Sequence, residues 1–306
     1  MAQNPERMAS VTTLAAVAER LAQGDKLQPA DVETVLGSHD LVGVGMMADE
    51  IRRQRHGRAT TFVRVFAAHV DAVPATLPAD VSAGEFRLTG RPASLAAAVA
   101  AAAAMRRFAG TAPVFGYSLA DLEAFGESDT YAQLAGAGLD GIAELPIDLV
   151  ATPGPVRAAR KAGLLVLRVT VDSAPADLPE LLGAVKTLSD EVRGFQAFAP
   201  LPRRLSVAAP TTGYDDVKCV ALARMVLDIP SIQVDWPLYG PKLAQVGLLV
   251  GADDIDGVMA SEPGTLGPRR TALEEIRGNI RAAGLEPVER DGRFVRLAVD
   301  GERAHG

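Results

Sequence analysis

Cysteine is almost missing from this chain: its 306 residues hold one, Cys219. A single thiol excludes an intrachain disulfide framework and any metal cluster held by several cysteines of the same chain. It fits a reducing compartment, and within an apolar helical pattern it reads as a buried structural thiol, not a nucleophile. An excess of basic residues is also missing. The formal net charge is −7, which argues against nucleic acid as a partner. No apolar run is long enough to span a bilayer: Ala93 to Ala104 falls short, and Met105-Arg106-Arg107 ends it. Alanine favours helix, so that run is expected to be a helix of the fold. The opening MAQNPERMASV lacks the apolar core of a signal peptide, and the expectation is a soluble, cytoplasmic protein. Neither GxSxG nor GxxxxGK[ST] occurs, no GxGxxG follows the first strand, and no His/Asp/Glu set has metal-ligand spacing, so no metal site is expected.

What is present is apolar residue in quantity, 48%, enough for a large core. From Thr61 onward, short β-rich runs alternate with helical patterns. Eight strands are expected at Thr61–Phe66, Glu85–Thr89, Pro113–Tyr117, Gly141–Glu144, Leu164–Val171, Gly194–Ala199, Ile232–Trp236 and Ile255–Met259. Helical periodicity separates most of them, for example at Leu178–Glu191, Asp215–Asp228 and Lys242–Val250. The pattern implies an α/β fold of the (β/α)₈ TIM-barrel type, complete or slightly open between strands one and two. A doubly wound open sheet is the alternative. Residues 1–58 read as an N-terminal helical extension, 59–261 as the barrel, and 262–306 as a C-terminal helix with a short hairpin-like β end and tail. Two connections break the rhythm: Ala67–Ala83 with its two prolines, and Pro200–Pro210, PLPRRLSVAAP, which reads as an irregular loop.

Barrel strands are buried on both faces, so a purely structural strand is apolar throughout. Several here are not. Arg64, Glu85, Arg87, Glu144, Arg168, Gln196, Gln233 and Asp235 interrupt them. A buried unpaired charge is costly, so these groups either pair in an internal ladder or face a wet pocket. Both readings stay open. Residues near strand C-termini are the site candidates. Glu144, Asp172 and His69 are candidate acids or bases, His69 because histidine titrates near neutrality, although a solvated loop histidine is its alternative. Arg64, Arg87, Tyr117, Arg168, Gln196, Asp235 and Trp236 are candidate ligand-binding residues, with Trp236 able to stack on an aromatic ring. Asp253, Asp254 and Asp256 enter the last strand at its start, which reads as the wrong end of a barrel for a site.

The stretch Thr212-Gly213-Tyr214-Asp215-Asp216, Ala223 to Asp228, Trp236, Gly240 to Val246 and Gly251 to Gly257 resembles the aminofutalosine synthase family of menaquinone biosynthesis, with the related dehypoxanthine futalosine cyclases and deazaflavin-forming synthase subunits. Gly194 to Leu201, Ala48 to Arg53, His56-Gly57 and Thr61-Phe62-Val63 also match. The resemblance implies a radical S-adenosylmethionine barrel. In that family a CxxxCxxC segment after the first strand holds a [4Fe-4S] cluster whose open iron binds S-adenosylmethionine. Here the corresponding loop, Ala67–Ala83, contains no cysteine. The expectation is therefore a degenerate paralogue with no cluster, no S-adenosylmethionine and no cofactor. It would bind a futalosine-like nucleoside or a chorismate-derived aromatic acid in the barrel mouth. Two alternatives are an active lyase or hydrolase using carboxylate acid–base chemistry, and a scaffold or partner subunit of a true radical enzyme. Homo-oligomerisation or a pathway-enzyme partner would accompany these.

Overall fold

The structure, a computed structural model, describes residues 12–204, 211–261 and 272–297. The turn expected from Glu262, the Pro200–Pro210 stretch beyond Arg204, and the tail beyond Leu297 lie outside the described residues.

Three helices come first: α1 (Leu14–Ala22), α2 (Pro29–Gly37) and α3 (Leu41–His56). The chain then runs β1 (Ala59–His69), β2 (Glu85–Thr89), α4 (Leu95–Ala109), β3 (Val114–Ser118), α5 (Leu119–Glu123), α6 (Thr130–Gly136), β4 (Gly141–Pro146) and α7 (Pro153–Lys161). It continues with β5 (Leu165–Val166), β6 (Arg168–Ser173), α8 (Leu178–Val192), β7 (Ala197–Arg204), α9 (Gly213–Val226), β8 (Ser231–Asp235), α10 (Trp236–Leu249), β9 (Asp254–Met259), α11 (Ala272–Ala282) and β10 (Glu286–Arg290).

The pairing order β1-β2-β3-β4-β6-β7-β8-β9 returns to β1, and every pairing is parallel. This is a closed (β/α)₈ barrel, so the open-sheet alternative falls away. β5 pairs only β4, and β6 takes over after Leu167. The expected opening between strands one and two is resolved in a specific way. The upper half of β1, Val65 to His69, pairs β2, while its lower half, Ala59 to Val63, pairs β10. β10 is thus a parallel strand wedged in at the barrel floor, where a hairpin-like end was expected. Among the described residues, an antiparallel bridge between Arg290 and Arg296, with Leu297 N donating to the Glu289 carbonyl, marks the turn back of this end.

Local chemistry sets the helix starts. The side chains of Ser94, Asp177 and Thr212 cap α4, α8 and α9, and Thr212 with Asp215 closes a reciprocal capping box. The N-terminal helices are joined to the barrel. α3 packs on α9, with Val44 and Ala48 buried. Arg55 donates to the carbonyls of Leu227 and Ile229, and His56 meets the Pro230 carbonyl at 2.9 Å. Asp253 takes a framing role at the floor of β8: it accepts from the buried Arg224 and from Ile232 N. No helix among the described residues is long and apolar enough to cross a membrane.

Candidate functional site

The barrel interior carries charge in three storeys. At the floor, Asp254 on β9 accepts two bonds from Arg290 of β10, at 2.6 and 2.7 Å, together with Thr61 Oγ1 at 2.5 Å and Gln233 Nε2 at 2.6 Å. All four lone-pair directions of this buried carboxylate are used, which is what allows an ion to sit there. One storey up, Asp256 takes a bidentate pair from Arg87, at 2.9 and 2.8 Å. Arg87 Nε also donates to Glu85 at 2.6 Å, and Arg168 Nη2 lies 3.4 Å from Glu85 and 3.5 Å from Asp256. Arg168 also donates to the Ala143 carbonyl at 3.1 Å. At the top, Arg203 on β7 donates to Asp235 at 2.5 Å, with Glu144 at 3.3 Å and Asp256 at 3.9 Å.

The storeys bias one another's protonation. Burial alone would raise the Asp256 carboxyl, but Arg168, Arg87 and Arg203 hold it well below the usual carboxylate range. Burial would lower Arg203, yet Glu144, Asp235 and Asp256 outweigh it and raise its pKa. Arg168 goes the other way: burial, reinforced by Arg87 and Arg290, lowers it despite Asp256 and Glu85. Polar capacity is left over: among the described residues Gln233 Oε1 at the floor has no partner, and more donors are unused above it. Among the described residues, Arg203 Nε and Nη2, Arg168 Nε and Thr170 Oγ1 are buried without a hydrogen-bond partner. Thr170 and Arg168 both lie on β6, spaced two apart and facing the same way. The interior closes at the floor with its charges satisfied, and toward the strand C-termini it presents unused donors.

The residues expected at the site separate into groups. Arg87, Arg168, Glu144 and Asp235 are brought together around Asp256 and Arg203. Glu144 is the open member, with a side chain 36% exposed. Asp235 doubles as N-cap of α10, accepting from Leu238 N at 2.8 Å, and Trp236 follows it, half-buried against the core. Asp172 stands at the rim of β6 and accepts from Arg204 and Ser173. His69 ends β1, half-exposed, 3.6 Å from Asp71. Three expectations meet different geometry. Arg64 points at β10 and pairs with Glu289 at 2.6 Å. Tyr117, at positive φ, buries its ring and donates its hydroxyl to the Ala98 carbonyl of α4, and burial pushes its pKa up. Gln196 precedes β7 at the N-terminal end of the barrel, beside Phe195 and Pro230.

Three charged side chains of the barrel interior escaped the sequence reading. Arg203 sits in the stretch read as loop, because Pro200 and Pro202 look like strand breakers. β7 nevertheless continues through them: Val171 pairs with Pro202, and the carbonyls of Pro200 and Pro202 accept from Cys219 and from Tyr239. Asp254 and Asp256 were set aside as lying at the wrong end. They enter the lumen because β9 begins at Asp254, with both residues on the inward face. Their alternation with Ile255 was the available signal. The expected ladder of ion pairs and the expected polar pocket coexist, at different heights.

Residues 193–300 match the family described as the CofH/MqnC C-terminal region. The aminodeoxyfutalosine synthase of Thermus thermophilus is 35% identical over 130 residues, covering 38% of this chain and 35% of that protein. The 5-amino-6-(D-ribitylamino)uracil–L-tyrosine 4-hydroxyphenyl transferase of Methanothermobacter thermautotrophicus is 35% identical over 133 residues, covering 38% of this chain and 36% of that one. The matches thus take in about a third of these curated relatives' length. Among solved structures, methylornithine synthase superposes with a TM-score of 0.62 at 13% identity, covering 89% of this chain and 97% of the other. The FeFe-hydrogenase maturase HydG of Carboxydothermus hydrogenoformans gives 0.65 at 11%, covering 92% and 80%. At such identities the structures speak for the fold alone.

These matches correct one expectation. An absence of cofactors was expected. The curated relatives found are instead enzymes of the kind for which the resemblance implies a [4Fe-4S] cluster and S-adenosylmethionine, so the cofactor-free reading is withdrawn. This chain's own donor set does not fit a three-thiolate cluster. Its one thiol, Cys219, is buried in α9, donates to the Pro200 carbonyl, and is pushed up to about 12 by burial, with Asp216 and Asp215 adding to the rise.

Proposed function

We propose, from the match of residues 193–300 to the CofH/MqnC C-terminal region family, that the barrel mouth binds a small metabolite, a futalosine-like nucleoside or a chorismate-derived aromatic acid. One observation carries this reading: the buried donors of Arg203, Arg168 and Thr170 are unpartnered toward the strand C-termini, while the floor beneath them is sealed by satisfied ion pairs. Ligands of parallel barrels enter at that end. Glu144 is the exposed acceptor for ligand hydroxyls, and Trp236 supplies an apolar wall beside Asp235. Arg87 and Arg168 preorganise the pocket, because their charges are already engaged by Asp256 and Glu85. The ligand's orienting cation is therefore Arg203.

Calorimetric titration of the purified protein with a futalosine-type nucleoside and with chorismate-derived acids tests this. Saturable binding of at least one, lost in Arg203→Met, is the expected outcome. Absence of binding by every compound of both classes would refute the proposal.

A further inference from the structure

The proposed ligand site does not specify which chemical group the mouth reads. Arg203 does. A guanidinium offers two kinds of paired edge: the two terminal nitrogens, and the side-on edge formed by Nε and Nη2. Asp235 occupies Nη1 at 2.5 Å. The side-on edge is the unused one: Nε and Nη2 are both buried, and neither makes a hydrogen bond among the described residues. A two-donor edge of this shape matches a carboxylate, which accepts both bonds in parallel. A lone hydroxyl would satisfy half of it.

Two carboxylates stand near that edge: Asp256 Oδ2, 3.9 Å from Nη2 and already bonded to Arg87, and Glu144. Glu144 Oε1 lies 3.3 Å from Arg203 Nε without hydrogen-bond geometry. It differs from the other acids around the arginines. Glu85 and Asp256 are fully buried and hydrogen-bonded, and Asp235 is fixed as a helix cap. The side chain of Glu144 is 36% exposed, and among the described residues no hydrogen bond holds it. It can leave for water at little cost; the others cannot. The charge balance agrees. Arg87, Arg168 and Arg203 face Glu85, Asp256, Asp235 and Glu144, so exchanging Glu144 for one ligand carboxylate leaves the interior charge unchanged. A dianion at the same spot would add uncompensated negative charge.

We propose that the Nε–Nη2 edge of Arg203 is the carboxylate-reading subsite of the mouth, and that Glu144 covers it until a monocarboxylate displaces it. This rests on the mouth being the binding site, and it narrows the ligand to a molecule with one carboxylate at its inner end. Glu144 is then a competitor of the ligand in the free protein. Once displaced, it is positioned to accept a ligand hydroxyl from the rim.

The test is a pair of titrations on the full chain and on Glu144→Gln, with 3-hydroxybenzoate and its methyl ester as probes. The acid binds the wild-type protein about tenfold or more tightly than the ester, as expected for a charge-assisted bidentate pair. Glu144→Gln binds the acid about tenfold more tightly than wild type, because the competing charge is gone. Equal affinities for acid and ester, or a Glu144→Gln protein that binds the acid no better than wild type, would overturn the proposal. Glutamine keeps the shape of this half-exposed side chain and Arg203 retains Asp235, so the fold is expected to stay intact, which a thermal melt of the variant verifies. Inosine, a nucleoside without a carboxylate, separates this inference from the broader one. Inosine binding without acid-over-ester discrimination leaves the mouth as the site and removes the Arg203 subsite; no binding of any probe removes both.

Discussion

Asp256 accepts both terminal nitrogens of Arg87, faces Arg168 at 3.5 Å, and is wholly buried. Removing its charge would leave two guanidinium groups in the interior with Glu85 as their shared partner. Asp256→Asn is therefore expected to lose on the order of 3–5 kcal/mol of stability in urea unfolding, the usual cost of breaking one side of a buried pair. Its carboxyl titrates well below the ordinary value in the folded state, so the folded protein releases this proton more readily than the unfolded chain. The resulting stabilisation is fully present above the unfolded value of about 4, and is lost progressively as pH falls below it. Acid unfolding monitored by circular dichroism is expected to show this loss in the wild type and a flatter profile in Asp256→Asn. At this scale the sequence was a poor guide to the site. Arg87 and Arg168 stood out as charges inside apolar strands, and so did Asp235. Asp254 and Asp256 did not, because a run of three acids near a strand start looks the same whether it caps a turn or enters a lumen. Only the strand's first residue distinguishes the two.

Gly257 shows what β9 needs in order to present Asp256. Its φ is +76°, and a Cβ there would come within 2.9 Å of Pro237 Cδ. The ladder between β1 and β9 shifts register at this point: Phe62 pairs Ile255, but Arg64 pairs Val258. The glycine thus sits in a bulge, which re-aims the residue before it. Gly257→Ala is expected to cost about 1–3 kcal/mol, from left-handed backbone strain and the Pro237 contact, read as a lowered denaturation midpoint. Elements were more legible than residues. All eight barrel strands were visible as short β-rich runs between helical patterns, even where charged residues interrupt them. β7 was cut short at its prolines, although the strand runs on through them, with Pro202 in register with Val171 of β6. β10 resembled a hairpin arm because five residues with Glu286, Glu289 and Arg290 do not announce a parallel partner 220-odd positions upstream.

The molecule as a whole does not divide where composition changes. The boundary near residue 58 marks the start of β1, but α3 is not a detachable extension. Its buried Arg52 donates to Asp49 and to the Gly57 carbonyl, and Gly45 lies against Val250 of the segment before β9. Lys218 of α9 reaches the Leu36 carbonyl of α2 at 2.5 Å. A protein starting at Ala59 would expose the apolar face of α9 and leave the carbonyls of Leu227 and Ile229 without Arg55. It is expected to lose cooperative thermal unfolding, checked by calorimetry against the full chain. The closed barrel also favours the proposed site. β10 and Arg290 occupy the floor, which leaves the strand C-termini, where Arg203, Glu144 and Asp235 meet, as the proposed point of ligand entry. A separate cavity of about 710 Å³ lies outside the barrel beside β7, lined among others by Glu33, Pro202, Asp216 and Cys219. The two locations give the central claim a direct test: a crystal structure of the protein soaked with an aromatic monocarboxylate. The account predicts the carboxylate bidentate on Arg203 Nε and Nη2, with Glu144 rotated toward solvent. A ligand seated beside Cys219 and Asp216, with Glu144 still against Arg203, would contradict it.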